Sequence, residues 1–183
     1  RECGIEVSGF KTTKGRSNRF QINFRNHRKL LVVDGNTGFV GGNNLADEYL
    51  VYRDTHLKIE GSAAQHIQYS FIKDWYWATG QIVPISLQIA PCETADQAVA
   101  IVNTGPADVV ANCSILFSSL VSSARSRLWI TSPYFVPDDV MVRVLQAAAL
   151  RGVDVRIILP DKPDQLLVAL ASYTYYDDML KSG

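Results

Sequence analysis

A histidine and a lysine separated by one residue, His27 and Lys29, are the side chains of this sequence best suited to chemistry. Side chains alternate between the two faces of a strand, so these two would point the same way and Arg28 would point the opposite way. An imidazole can attack phosphorus or move a proton, and a nearby ammonium can offset charge on phosphate oxygens. The pair therefore predicts a site for phosphoryl transfer.

The residues around this pair predict the strands that would hold it. Four apolar residues follow Lys29, and the run ends at Asp34 and Gly35. Asp, Asn and Gly tolerate turn conformations, so residues 34–38 favour a turn. By their alternation and composition, the predicted strands are residues 4–10, 19–33 (as two segments), 38–42 and 54–59.

Further along the chain, the pattern changes to alternating helices and strands. An amphipathic helix is predicted at residues 63–77, with Ile67, Phe71, Trp75 and Tyr76 on its buried side. A segment rich in glycine and proline follows, with short strand candidates at residues 82–89 and 98–102. The later elements are a helix at 114–126, a strand at 127–131, a helix at 137–150, a strand at 153–159 and a helix at 166–180. This alternation implies parallel strands flanked by helices, and hence a mixed α/β fold.

The bulk composition indicates a soluble globular protein. Of the 183 residues, 47% are hydrophobic, and 18 Lys and Arg balance 18 Asp and Glu. Zero net charge argues against a dedicated nucleic-acid binder, so no nucleic-acid partner is expected. The stretch 11–28, however, contains six basic residues and no acidic one. It suits an anionic membrane surface or phosphate headgroup, and a solvated loop explains it equally well.

Cysteine content and hydropathy bear on location. The three cysteines, Cys3, Cys92 and Cys113, lie far apart and form no metal-like pair, which favours reduced thiols and the cytoplasmic side of a membrane. No apolar run reaches the ~18–20 residues that span a bilayer. The sequence starts at Arg1 without a signal peptide and stops at Gly183, so we expect a piece of a longer protein.

The complete pattern resembles the phospholipase D superfamily. Its His-Lys-Asp signature is matched by His27, Lys29 and Asp34, followed by a second element at residues 41–44. Asn44 matches the asparagine usual in that element, whereas Gly42 stands where a serine is common. More narrowly, the chain is similar to bacterial cardiolipin synthases, in residues 23–29, 41–49, 53–56, 131–137 and 151–160.

This resemblance implies a phospholipase D-like lobe with a central mixed sheet flanked by helices, and the start of a second, similar lobe. Residues 1–80 would be the C-terminal part of the first lobe and would carry the signature. Residues 81–111 would join the lobes. Residues 112–183 would be the N-terminal part of the second lobe.

The resemblance also implies phosphatidyl transfer through a phosphohistidine, making cardiolipin from phosphatidylglycerol without a metal or other cofactor. His27 would be the nucleophile or its acid/base partner. Lys29 and Asn44 would hold phosphate oxygens, and Gly42 and Arg28 would line the same phosphate site. The parent protein would act at the cytoplasmic side of the bacterial inner membrane.

The family normally combines two signatures in one site, and this sequence has one. We therefore expect the chain to be inactive alone, unless two copies associate to share a site. Two alternatives stay open. One is a phospholipase D-type hydrolase or nuclease, and the other is a non-catalytic lobe that binds phosphate headgroups.

The two candidate carboxylates receive different roles. Asp34 lies seven residues from His27, an odd offset that turns it to the other face of a regular strand, so we expect it to build the turn. A working imidazole needs its second nitrogen anchored, and Asp54 is our candidate for that contact. A strand-end cap or a partner of Arg53 is the alternative for Asp54. His56 lacks the surrounding pattern of His27 and is interpreted as a packed or surface histidine.

Overall fold

The computed structural model describes residues 3–10, 26–47, 49, 53–85, 96–105, 108–162 and 165–183. The chain divides into two compact units, Arg1–Asn103 and Thr104–Gly183. The elements of the first unit are β1 (Lys29–Val33), β2 (Thr37–Gly41), β3 (Leu57–Glu60) and α1 (Ser62–Thr79). Those of the second are α2 (Asn112–Ser123), β4 (Arg127–Thr131), α3 (Asp139–Leu150), β5 (Asp154–Ile158) and α4 (Leu166–Leu180). The predicted mixed α/β class is confirmed.

The sheet of the first unit is antiparallel, in the order β1-β2-β3. The hairpin between β1 and β2 turns through residues 34–36 and pairs Val33 with Thr37. The backbone N–H of Asn36 donates to the carbonyl of Val33 at 3.2 Å, and the carbonyl of Asn36 accepts from Gly61 at 3.0 Å. The hairpin at the predicted turn is therefore confirmed, and its tip is fixed to the residue that precedes α1.

Helix α1 packs on one face of this sheet, with Ile67 in close contact with Gly38. Ile67 is 1% exposed, and a side chain at Gly38 would come 2.6 Å from its Cδ1 atom. Ala64 and Ser70 complete the buried face of the helix. The predicted face was wrong at Phe71 and at Tyr76, which are both exposed. Close approach at a glycine buries the small residues around Ile67 and leaves the larger aromatic side chains outside.

Three strand predictions were wrong within the described residues. Residues 4–10 contain no strand, and neither do the described parts of 82–89 and 98–102. Alternation of apolar and polar residues gives a segment one apolar face. A strand also needs a neighbouring strand for its backbone hydrogen bonds, and these segments join neither sheet. The predicted strand at 19–33 is observed from Lys29 onward, and residues 19–25 lie outside the described part of the chain.

The second unit is a βαβ arrangement. Strands β4 and β5 are parallel, in register from Arg127 opposite Asp154 to Thr131 opposite Ile158. Their inner side and the helices enclose a core of Val121, Phe135, Leu145, Ala148 and Val153. The predicted alternation is confirmed here, and β4 and α4 have the predicted bounds. None of the helices in the described ranges is both long and apolar enough to cross a membrane.

Helix α3 begins at a capping carboxylate. Oδ1 of Asp138 accepts from the backbone N–H of Met141 at 2.7 Å, and Oδ2 accepts from the hydroxyl of Ser114 at 2.6 Å. The Ser114 hydroxyl and then the Met141 N–H stabilise the charged form, so they hold the pKa of Asp138 below 3.8. The cap thus connects the start of α3 to α2.

This cap predicts an acid-dependent contribution to stability. A depressed folded-state pKa stabilises the fold above the unfolded value, and that contribution disappears as the pH falls through the folded value. We expect Asp138→Asn to lower Tm near neutral pH, with a difference that shrinks below pH 3.8. Thermal denaturation from neutral to acid pH measures it, with the exposed Asp161→Asn as the control. A difference that stayed constant across the acid range would contradict this assignment.

Candidate active site

His27 lies two residues before the start of β1, between two residues that bind the same carboxylate. The side-chain amide of Asn26 donates to Oδ2 of Asp74 on α1 at 2.8 Å. The guanidinium of Arg28 donates to Oδ1 and Oδ2 of Asp74 at 2.7 and 2.9 Å. The backbone N–H of Arg28 also donates to Oδ1 of Asn26 at 2.9 Å. Both neighbours of His27 are therefore fixed to the helix, and we call these contacts the Asp74 bracket.

The two cations that follow His27, Arg28 and Lys29, lie on opposite faces of the sheet. Val32 pairs with Gly38, whose face contacts α1, so Lys29 is on the face turned away from the helix. Arg28 reaches Asp74 on the helix side, which confirms the predicted alternation of these two side chains. The ammonium of Lys29 donates to the carbonyl of His27 at 2.8 Å. A fixed positive charge thus lies beside the His27 backbone.

Two glycines at the end of β2 allow the segment before β3 to lie close to the signature. A Cβ atom at Gly41 would overlap the ring of His56, and one at Gly42 would overlap Oδ2 of Asp54. Gly41 is the cross-strand partner of Lys29. Gly42 stands where the superfamily often has serine. Its missing side chain leaves room for the carboxylate of Asp54 to pack against its backbone.

Asp54 was predicted to anchor the imidazole of His27. Its Oδ1 atom accepts from the backbone N–H of Thr55 at 2.6 Å, and Oδ2 lies against Gly42. Within the described ranges, no hydrogen bond joins Asp54 to His27. Asn44, the predicted phosphate ligand, is exposed in the loop that follows β2. The structure therefore brings Asp54 to the end of the hairpin that carries Lys29, without a hydrogen bond to the histidine in the described ranges.

Asp34 lies at the opposite end of β1 from Lys29. At about 3.3 Å per residue, the five steps of the strand separate their backbones by about 16 Å. Asp34 has a φ of 51°, and Gly35 has a φ of 71°. A turn in which two successive residues adopt positive φ explains the residue types, and it supports a structural role for Asp34.

The conformation of Asp34 can be tested by substitution. Positive φ costs an L-residue about 1–2 kcal/mol, and a β-branched side chain tolerates it worst. We expect Asp34→Val to lower the free energy of unfolding by about 1–2 kcal/mol, measured by urea denaturation. Asp34→Gly is the matched control and should leave stability within about 0.5 kcal/mol of wild type. If both variants were equally destabilised, the carboxylate and not the turn backbone would be required.

Sequence reasoning missed Asp74, Gly41 and the position of His56. Asp74 is the one acidic residue of α1, and it lies 46 residues from Arg28. A single acidic residue on a helix that packs against an Arg-bearing strand was the available signal, but the pairing depends on how helix and sheet dock. In the described ranges, no cluster of three or more His, Cys, Asp or Glu side chains is arranged to hold a metal ion.

Comparisons with known proteins agree with this architecture. A family model described as cardiolipin synthase, PLD-like domain, matches residues 117–183. The chain is 45% identical over 191 residues to cardiolipin synthase A of Pseudomonas aeruginosa (strain LESB58), covering 100% of this chain and 39% of the relative. It is 45% identical over 190 residues to cardiolipin synthase A of Pseudomonas putida (strain W619), covering 100% of this chain and 40% of the relative. The chain thus spans about two fifths of the length of these relatives.

Fold, signature and family-model match agree on the class of protein that this chain resembles, the phospholipase D superfamily. Over its whole length, the chain is similar to cardiolipin synthases of the A type. The resemblance inferred from the sequence is confirmed.

Proposed function

We propose that this chain supplies one of the two reacting histidines of a phosphatidyltransferase that makes cardiolipin from phosphatidylglycerol. The observation that carries the proposal is His27 held in the Asp74 bracket, with the ammonium of Lys29 at its carbonyl. A histidine with a fixed backbone beside a fixed cation suits displacement at phosphorus. The similarity to cardiolipin synthase A supports a phospholipid as the substrate class.

The reaction has two displacements. In the first, a histidine nitrogen bonds to the phosphorus of one phosphatidylglycerol, and the bond to glycerol breaks as the second histidine protonates the departing oxygen. In the second, that histidine takes the proton from a hydroxyl of another phosphatidylglycerol, whose oxygen displaces the first histidine. His27 takes one of these two roles, and a second signature elsewhere in the parent protein supplies the other.

The other predicted site residues divide by position. Lys29 offsets charge on the non-bridging oxygens, and the amide of Asn44 donates to one of them. Asp54 orients His27 once substrate is bound, because its carboxylate already lies against Gly42 at the end of the hairpin. Arg28 was expected to line the phosphate site. Since its guanidinium binds Asp74 on the α1 side, we assign it to anchoring.

The remaining features of the proposal concern the membrane. The substrate is a phospholipid, so the parent protein would work at an anionic membrane surface, on the cytoplasmic side of the inner membrane. Most of the basic stretch that would meet the headgroups lies outside the described residues. Co-sedimentation with vesicles of phosphatidylglycerol tests this contact, and binding should weaken as salt is raised.

A chimaeric enzyme tests the proposed reaction. This chain replaces the aligned segment of the P. aeruginosa relative, and the chimaera is assayed on phosphatidylglycerol vesicles. Cardiolipin and glycerol should appear in equal amounts. Phosphatidic acid in place of cardiolipin would support the hydrolase alternative. A folded chimaera that gave neither product would oppose the proposal.

A further inference from the structure

We infer that Asp74 is a positioning residue that holds the backbone of His27 in place for the reaction. The inference rests on the proposed function, in which His27 acts at phosphorus. Asp74 lies on α1, on the side of the sheet opposite Lys29. It contacts Asn26 and Arg28, and therefore acts on His27 through these two neighbours.

The geometry of the bracket forms a closed ring of contacts. Asp74 binds Asn26 on one side of His27 and Arg28 on the other, and Asn26 also accepts from the backbone N–H of Arg28. The ammonium of Lys29 donates a hydrogen bond to the carbonyl of His27 itself. The peptide group that follows His27 is therefore held at its carbonyl and at its N–H. Asn26, on the other side, is held through its side chain, although His27 lies before the paired part of β1.

Burial distinguishes this ion pair from another in the same unit. The side chains of Arg28 and Asp74 are 36% and 19% exposed, whereas those of Lys58 and Glu60 are 53% and 54% exposed. Lys58 and Glu60 both lie on β3, so their pair connects a strand to itself. The pair of Arg28 and Asp74 connects the residue before β1 to α1, and it is the one that adjoins the signature. Each pair can be broken in a separate variant. Comparing the two variants distinguishes a positioning role of Asp74 from the general effect of losing a surface ion pair.

The consequence for the reaction follows from distance. A misplacement of about 1 Å between reacting groups can reduce a rate by about 10²-fold. Loss of the bracket should therefore lower kcat by about 10–100-fold and leave KM nearly unchanged, because Asp74 does not contact the phosphate face. A residue that only stabilised the fold would lower the amount of active enzyme and leave its kcat per folded molecule unchanged.

The bracket can be tested on the chain itself, without turnover. Asp74→Ala removes both acceptor oxygens while keeping a strong helix former in α1. Amide exchange of Arg28 should become at least about 10-fold faster, and the NMR order parameter of the His27 amide should fall from about 0.85 to below about 0.6. The Ile67 amide, deep in α1, should be unchanged and so reports that the helix is intact.

Further variants make the result decisive. Glu60→Gln, which breaks the exposed pair on β3, should change neither readout. If α1 is disturbed in the alanine variant, Asp74→Asn gives the same comparison at constant size. Asp74→Glu should restore part of the protection, since it keeps the charge. Unchanged amide exchange at Arg28, together with an unchanged order parameter at His27, in both Asp74→Ala and Asp74→Asn would overturn the inference.

The chimaera separates failure of this inference from failure of the proposed function. An active wild-type chimaera whose kcat is unaffected by Asp74→Ala overturns the positioning role alone. An inactive wild-type chimaera argues against the proposed function, while the exchange data on the chain still decide the bracket. A fall in kcat at constant KM, together with faster exchange at Arg28, supports both.

Discussion

Replacing His27 by asparagine in the chimaera is expected to lower the rate of cardiolipin formation by at least ~10³-fold. The amide of asparagine has a similar size and polarity, but it can neither bond to phosphorus as a nucleophile nor exchange a proton near neutral pH. Both of the roles open to His27 therefore fail in the same variant. Lipid extraction and mass spectrometry over a time course would measure the loss.

His66→Asn is the matched control for that experiment. His66 is an exposed histidine of α1, and its contact with the Ser70 hydroxyl is made through its backbone carbonyl. Its replacement should leave the rate within about twofold of wild type. If His27→Asn retained more than about a tenth of the activity, the assignment of His27 to the reacting pair would be contradicted.

Replacing Ile67 by alanine is expected to destabilise the first unit by about 2–4 kcal/mol. Ile67 is 1% exposed and fills the contact between α1 and Gly38, so the substitution leaves a cavity where helix and sheet meet. Urea denaturation in a Trp129→Phe background, followed by the fluorescence of Trp75 and Trp77, reports on this unit. Both of these side chains lie on α1, whereas Trp129 lies on β4 of the second unit.

An exposed isoleucine provides the control for the cavity. Ile82 is 80% exposed, and Ile82→Ala should change the unfolding free energy by less than about 0.5 kcal/mol. Equal effects of the two substitutions would contradict the packing of α1 on the sheet. Because Asp74 lies on the same helix, Ile67→Ala should also speed amide exchange at Arg28.

The parts of the fold that follow from local signals could be predicted. The hairpin was predicted from Asp34 and Gly35 between two apolar runs, and its turn is observed at these residues. Helix α4 and strand β4 have the predicted bounds, because their apolar patterns are long or sharply bounded. The parallel pairing of β4 with β5 follows from the helix between them.

The errors lie where a segment depends on a distant partner. Residues 4–10 alternate as a strand would, but they have no place in either sheet of the described structure. The buried face of α1 is set by Gly38 on β2, which periodicity within the helix does not reveal. Helix periodicity gives an amphipathic face, and the docked neighbour decides which part of that face is covered.

The site shows the same division. His27 and Lys29 could be selected from residue type and spacing, and the alternation that separates Lys29 from Arg28 is observed. Asp74 could not be selected, because its contacts with residues 26 and 28 cross 48 and 46 positions of sequence. The roles of Asp34, Asp54, Asn44 and Gly42 in catalysis stay predictions.

The half-site claim is tested most directly by the cardiolipin formed from phosphatidylglycerol vesicles by equal amounts of this chain alone and of the chimaera. The chimaera should form cardiolipin, and the chain alone should form no more than an enzyme-free blank, because a single histidine lacks its acid/base partner. Cardiolipin made by the chain alone, and abolished by His27→Asn, would contradict the account. It would show that one signature, or two copies of it, completes the reaction.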